Sequence, residues 1–353
     1  MQKVAVIGTT SWGITLAILL AKNGNEVRLW ARTPQEAAKL KKKGSDRFPG
    51  LIIPKEIIIT HKMDEALDGV SAVILAVPSA TMRENISRAA KYLTKSTIII
   101  SASKGLEIDS NKRMSEVIAE EINPQFRVNI CVLSGPQLAK EILDNHPAAS
   151  VVAAEDKTTT RKAQKLLTSN DFCVFTNTDV IGVELGGALK NILALGAGMA
   201  DGLGYGDNAK AAFMTRGLTE IAALGMALGA NPLTFAGLAG LGDIITTCAS
   251  PLSRNHYVGV ELTKGRPLAE ILKSMHQVAE GINTTRAAYD LAQQMGLEMP
   301  ITEKIYEVLY KNMKPARAAR SIMGGNAKHE LAGRRWRLFS LFRHQKRKTA
   351  ITT

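Results

Sequence analysis

The chain lacks the cysteine pattern of a secreted or metal-stapled protein. Its 353 residues hold three cysteines, Cys131, Cys173 and Cys248, far apart in the sequence. They make neither an even-numbered disulfide framework nor a metal-ligand spacing. The six histidines are scattered, so no metal is expected. No signal peptide is read at the start, because Lys3 leads straight into a strand. No apolar run is read as long enough to span a membrane. These absences point to a cytoplasmic protein with no integral membrane segment.

Acid is missing in two informative places. Residues 333–353 carry seven Lys/Arg and no Asp or Glu, a large share of the net charge of +13. The basic balance is therefore partly a tail property, and nucleic acid is not an expected partner. Trp336, Leu338, Phe339, Leu341 and Phe342 interleave with the tail arginines, but their helical angles spread too widely for an amphipathic face. A disordered basic tail is expected there. The second gap is at the end of the second strand. Trp30-Ala31-Arg32-Thr33 stands where NAD-specific sites place an acid for the ribose hydroxyls. Arg32 either suits a 2′-phosphate, which favours NADP(H), or is a solvated arginine.

What is present reads as α/β. Val4 to Ile7 is an unbroken apolar run, the pattern of a central parallel strand. Gly8-Thr9-Thr10-Ser11-Trp12-Gly13 follows, then a helical pattern from Ile14 to Lys22, then a strand from Glu26 to Trp30. Strand, glycine turn, helix and strand open a dinucleotide-binding fold; the alternative is a structural strand–helix turn. Gly8 and Gly13 take the outer glycine positions of the fingerprint, while Thr10 takes the middle one. A Cβ there is expected to crowd the pyrophosphate, or to strain the loop.

Further strands are read at Ile57 to Thr60, Val73 to Val77, Ile98 to Ser101, Asn129 to Leu133, Ser150 to Ala153 and Cys173 to Thr176. Several end in small or breaker residues, at Pro78-Ser79, Ser103-Lys104-Gly105 and Ser134-Gly135-Pro136. In an open parallel sheet the ligand crevice lies at these carboxyl ends. Lys104 is thus either a cation for an anionic ligand or a surface lysine. From Asp179 onward the pattern is helical. The domains are read as a dinucleotide-binding unit over 1–178, a helical substrate unit over 179–332 and the tail over 333–353.

The whole is organised around the stretch from Gly182 to Glu220. Within it, the helical run from Leu185 to Ala200 is uncharged except for one lysine, Lys190. Burial disfavours a charged lysine, so Lys190 is either an acid/base candidate or a side chain snorkelling outward. Near the break at 250–255, Ser253, Arg254 and Asn255 either form a phosphate-sized donor cluster or cap a helix.

Nine stretches together resemble bacterial NAD(P)-dependent glycerol-3-phosphate dehydrogenases. They are SWG at 11–13, SKG at 103–105, SGP at 134–136, IGVELGGALKN at 181–191, GDNAKAAFMTRGLTE at 206–220, GLAGLGDIITTC at 237–248, SRN at 253–255, VAEG at 278–281 and EMPITEKIYEVLY at 298–310. The resemblance covers roughly residues 3 to 325 in the family's order. It implies a Rossmann-like N-terminal domain, an all-α C-terminal domain and interconversion of sn-glycerol 3-phosphate and dihydroxyacetone phosphate for glycerophospholipid synthesis. It implies Lys190, Lys104 and Asp243 as catalytic groups. Substrate contacts would come from Lys104, Gly135, Gln137, Lys190, Asp243, Ser253, Arg254 and Asn255. NADP or NAD, with NADPH favoured, would meet Gly8, Ser11, Trp12, Gly13, Arg32, Lys104, Ala139, Arg254, Val278 and Glu280. A homodimer is expected. The chain departs from the family at Thr10, where the usual GAGSWG has glycine, and at Gln137, where Ser or Thr usually follows SGP.

Overall fold

In the computed structural model the described residues are 1–275 and 278–324; the tail expected over 333–353 lies outside them. Eight strands form one sheet: β1 (Lys3–Ile7), β2 (Glu26–Trp30), β3 (Ile58–Thr60), β4 (Ala72–Leu75), β5 (Ile98–Ser101), β6 (Ile130–Ser134), β7 (Ala148–Ala153) and β8 (Phe172–Asn177). Their order is β3-β2-β1-β4-β5-β6-β7-β8. The first six are parallel and follow the doubly wound order, with the switch point between β1 and β4.

Side-chain alternation explains why the central strands are nearly apolar throughout. Val4 and Val6 of β1 point into one core with Ile14, Leu16 and Leu20 of α1 (Ser11–Lys22). Ala5 and Ile7 point into the opposite core with Met82 and Ile86. Both faces are covered by helices, so a continuous apolar strand is buried on both sides. The Rossmann-like sheet departs from the parallel pattern at one edge. β7 pairs antiparallel to β6, with β8 parallel to β7. The helix between β6 and β7, Ala139–Leu143, has five residues, too short to carry the chain back along a strand.

After β8, Asp179 caps the 23-residue helix Val180–Gly202, its Oδ1 accepting from Gly182 N at 2.9 Å. Every residue from Leu185 to Ala200 is buried. A helix apolar all round must be wrapped all round, and four helices enclose it: Asp207–Ala227, Asp243–Ala249, Arg254–Thr263 and Glu280–Met295. The sequence reading is corrected here. Val180–Gly202 is long and apolar enough to cross a membrane, as is the stretch Pro232–Ala249. In the first, however, 83% of the most apolar window is buried inside the protein; it is the core helix of the second domain. No strand follows it among the described residues.

The helix Arg254–Thr263 crosses it backbone to backbone. A Cβ on Gly198 would stand 2.0 Å from the carbonyl oxygen of His256, and one on Gly259 2.1 Å from that of Leu195. This crossing matters because each helix carries site residues: Lys190 and Asn191 on one, Arg254 and Asn255 on the other.

Gly259→Ala is expected to force the two helices apart and to destabilise the protein on the order of 1–3 kcal/mol, the cost of overpacking. Denaturant unfolding measures this. A stability equal to that of the unsubstituted protein would mean that the crossing relaxes freely.

Candidate active site

The carboxyl ends of β1, β4 and β5 open toward the helical domain in a cleft. Its walls include Ser11 and Trp12 from α1, Lys104 after β5, Lys190, Arg254 and Glu280.

At its base lies one buried carboxylate between two lysines. Asp243 is 1% exposed. Its Oδ1 accepts from Lys190 Nζ at 2.7 Å and its Oδ2 from Lys104 Nζ at 2.7 Å. Lys190 Nζ also donates to Thr247 Oγ1 at 2.5 Å, and Lys104 Nζ to the carbonyl oxygen of Gly135 at 2.8 Å. An ammonium has three donors. Each lysine thus spends two on the protein and retains one for a ligand in the cleft, counting partners among the described residues. Burial pulls the Lys104 amine down to about 8, reinforced by the nearby Lys190 charge and opposed by Asp243.

The local sequence explains the placement. Leu238–Gly242 makes a short π-helical turn that runs directly into Asp243–Ala249. Asp243 stands at the head of that helix, and Thr247 is one turn on, on the same face. Lys104 sits in the loop after β5, and Gly135, at φ +126°, sits in the loop after β6. Topology alone brings these two loops side by side.

Arg254 donates to the carbonyl oxygen of Val278 at 2.8 Å and lines the cleft. Asn255 is committed on both sides. Its Nδ2 donates to Asn191 Oδ1 at 2.8 Å, and its Oδ1 accepts from Gly281 N at 2.9 Å. It therefore braces three helices and has one amide hydrogen left for a ligand. Ser253 is the N-cap of its helix, its Oγ accepting from His256 N at 3.2 Å. It is buried and does not line the cleft. The cap reading of the 253–255 cluster holds for Ser253, while Arg254 and Asn255 line the cleft. Gln137 lines the cleft and donates to Ser150 Oγ at 2.9 Å, leaving its buried Oε1 unpartnered among the described residues.

On the dinucleotide side, Gly8 has φ +112°, and a Cβ there would stand 2.7 Å from the carbonyl oxygen of Ala76. Only glycine fits that turn. Thr10 departs from expectation. Its φ of −64° is ordinary for any residue, so the loop carries no strain from it. The hydroxyl folds back onto the protein, donating to the Ala76 carbonyl at 2.7 Å and accepting from Gly13 N at 3.0 Å. Thr10 is thus the N-cap of α1, and it uses one amide that a bare helix N-terminus would offer to a phosphate.

A dinucleotide fits these residues. The buried Trp12 Nε1 finds no partner among the described residues, and the N-terminus of α1 opens into the cleft. Ser11, Trp12, Lys104, Arg254, Val278 and Glu280 line it as expected. Glu280 accepts from Ser79 N at 3.0 Å and Ser79 Oγ at 2.5 Å, and burial pushes its carboxyl up. Arg32 and Ala139 do not line the cleft. Arg32 is exposed at the end of β2, and Ala139 begins the short helix after β6.

The sequence reading missed four contributors. Asn191 and Thr247 hold Asn255 and Lys190; each lies inside a stretch that had been singled out, beside or one turn from an assigned residue. Arg47 lines the cleft from the long loop after α2 (Pro34–Lys43), where no local pattern marks it. Glu184 is a buried acid on the Lys190 helix. It accepts from Ser115 N at 2.8 Å and Arg113 Nη1 at 2.8 Å and so ties that helix to the first domain. Its charge in an apolar helix was the available signal. Two cysteines drop out as nucleophiles, since burial pushes the Cys131 and Cys248 thiols up to about 12.

Known proteins share this arrangement over the whole length of the fold. Residues 3–160 match the N-terminal domain family of NAD-dependent glycerol-3-phosphate dehydrogenase, and residues 179–320 match its C-terminal domain family. The glycerol-3-phosphate dehydrogenase [NAD(P)+] of Dehalococcoides mccartyi strain 195 is 60% identical, covering 99% of this chain and 98% of its own. That of Geobacillus kaustophilus is 47% identical over 94% of this chain and 97% of its own. The crystal structure of the Coxiella burnetii glycerol-3-phosphate dehydrogenase superposes with a TM-score of 0.87 at 34% identity, covering 92% of this chain and 99% of that one. With both domain families matched in order and near-full-length relatives at this identity, the chain belongs to the NAD-dependent glycerol-3-phosphate dehydrogenase family.

Proposed function

We propose that Lys190 is the general acid/base of the reaction, with Asp243 and Lys104 completing the catalytic cluster. The reaction interconverts sn-glycerol 3-phosphate and dihydroxyacetone phosphate with NAD or NADP. The observation that supports the assignment is the buried carboxylate of Asp243 bridging two lysines at the base of the cleft.

When bound, the nicotinamide supplies the hydride-transfer chemistry. The chain's own groups handle charge and protons. In the reducing direction the substrate's carbonyl oxygen gains negative charge, and the remaining donor of Lys190 stabilises that charge and delivers the proton. In the oxidising direction the neutral amine accepts it. Asp243 holds both lysines in place and offsets their mutual repulsion. Lys104, with its remaining donor, and the guanidinium of Arg254 are placed for the phosphate. That remote group provides binding energy to orient the reacting carbon. Gln137 and the remaining amide hydrogen of Asn255 are further substrate contacts in this reading. The product, glycerol 3-phosphate, is the backbone from which glycerophospholipids are built, and we assign the enzyme to that supply. Three unpaired cysteines suit a reducing compartment such as the cytoplasm.

Lys190→Ala is expected to lower kcat by roughly 10²–10⁴, the range for a positioned acid/base, while Lys104 remains to neutralise Asp243. Steady-state assay of dihydroxyacetone phosphate reduction, with circular dichroism to check folding, reads this; near-normal turnover would remove Lys190 from the mechanism. Arg254→Ala is expected to cost on the order of 1.5–3 kcal/mol in transition-state binding of dihydroxyacetone phosphate, the value of a charged hydrogen bond. Its effect on unphosphorylated dihydroxyacetone should be much smaller, and equal losses would mean that Arg254 does not read the phosphate.

The lowered Lys104 amine predicts a pH dependence with a definite sign. Below about pH 8 the side chain is cationic and attracts the phosphate; as pH rises through about 8 it becomes neutral. The kcat/KM for dihydroxyacetone phosphate, which reports the free enzyme, should fall on that alkaline side. Lys104→Arg, cationic throughout, should move the limb to higher pH. A limb unchanged in Lys104→Arg would assign it to another group.

A further inference from the structure

The corner where the adenosine end of a dinucleotide would lie contains an acid that the strand sequence does not. In a doubly wound sheet this corner lies between the glycine turn after β1 and the end of β2. The two are adjacent here, because Gly8 N donates to the Trp30 carbonyl at 3.3 Å. Glu36, in the first turn of α2, reaches back into the space between them. Its Oε1 accepts from the Thr9 hydroxyl, and its Oε2 accepts from Arg32 N at 3.1 Å. The helix cap fixes its starting point, since Thr33 Oγ1 accepts from Glu36 N at 3.2 Å. Glu36 also lies near the cleft-lining Arg47, whose guanidinium burial pulls down while the charges of Glu36 and Asp46 oppose that pull. Asp46, the other acid beside Arg47, is paired with Lys39.

We propose that Glu36 is the residue that selects for the unphosphorylated ribose of NAD. The inference rests on the dinucleotide reading of the cleft. A carboxylate at this corner accepts hydrogen bonds from the ribose hydroxyls. The same carboxylate repels a 2′-phosphate, which carries up to two negative charges and accepts hydrogen bonds without donating them when fully ionised. Arg32 and Arg47 act in the opposite sense and attract that phosphate. Cofactor selectivity is then a difference between these groups. Glu36 supplies the repulsive part, from a helix turn and not from the strand end.

The test is calorimetric titration of the full chain with NADH and with NADPH, in the absence of substrate. Glu36→Gln keeps the size of the side chain and removes its charge. It is expected to raise the ratio of NADPH to NADH affinity by about tenfold, through weaker NADH and tighter NADPH binding. Glu36→Asp keeps the charge and should hold the ratio nearer that of the unsubstituted protein. Arg32→Ala should move the ratio the other way. Glu36→Ser, which opens space for a phosphate, replaces the glutamine variant if circular dichroism shows that variant unfolded. Equal weakening of both cofactors would make Glu36 a brace between Thr9 and Arg32 and would overturn the proposal, as would an unchanged ratio. If the unsubstituted protein bound neither dinucleotide, the dinucleotide reading itself would fall and the inference with it.

Discussion

The site depends on one buried carboxylate. Asp243 pairs with two lysines that arrive from different domains, Lys104 from a sheet loop and Lys190 from the core helix, and leaves the trio one positive charge in excess when both are protonated. Two ammonium groups so close and so poorly solvated would repel each other and resist their charges. A carboxylate between them makes the cluster tenable, and removing one member of such a buried set costs about 3–5 kcal/mol. The domains are therefore joined by the chemistry itself. Neither domain contains this cluster alone, since each supplies one lysine and the helical domain also supplies the acid.

The remaining architecture holds that cluster to its geometry. Glu184 ties the Lys190 helix to Arg113 and Ser115 of the first domain. Gly198 and Gly259 let the Arg254–Thr263 helix approach the core helix at backbone distance, which brings Asn255 onto Asn191. The backbone here consists of helices and sheet-end loops packed on two cores, the kind of support that can keep donors aimed without reorganising during reaction.

The dinucleotide side trades in the same currency of satisfied donors. Thr10 caps α1 and consumes an amide that glycine would have left open, so its presence is a local rearrangement and not a source of strain. Glu36 and Arg32 hold opposite charges at one corner, and a corner of mixed sign can meet either a hydroxyl or a phosphate.

The sequence by itself determined the kind of structure and the main actors. Eight short segments marked eight strands, and the central ones were near-continuous apolar runs because a strand covered on both faces is buried on both sides. The uncharged run around Lys190 marked a core helix with one costly exception. The ordered motifs brought Lys104, Asp243 and Arg254 to attention. It did not show that the span-length apolar run Val180–Gly202 is wrapped by protein, because length and hydropathy are blind to what surrounds a helix. It did not show that β7 turns antiparallel, which depends on how far a short connecting helix can carry the chain. Only the tertiary structure revealed that Asp243 lies between both lysines, that Asn255 is a brace, and that Glu36 folds back to the corner where the strand has no acid, and only it decided that Ser253 is the residue that caps its helix. Those are relations between residues far apart in the chain or across a turn, and hydrogen-bond geometry in space decides them.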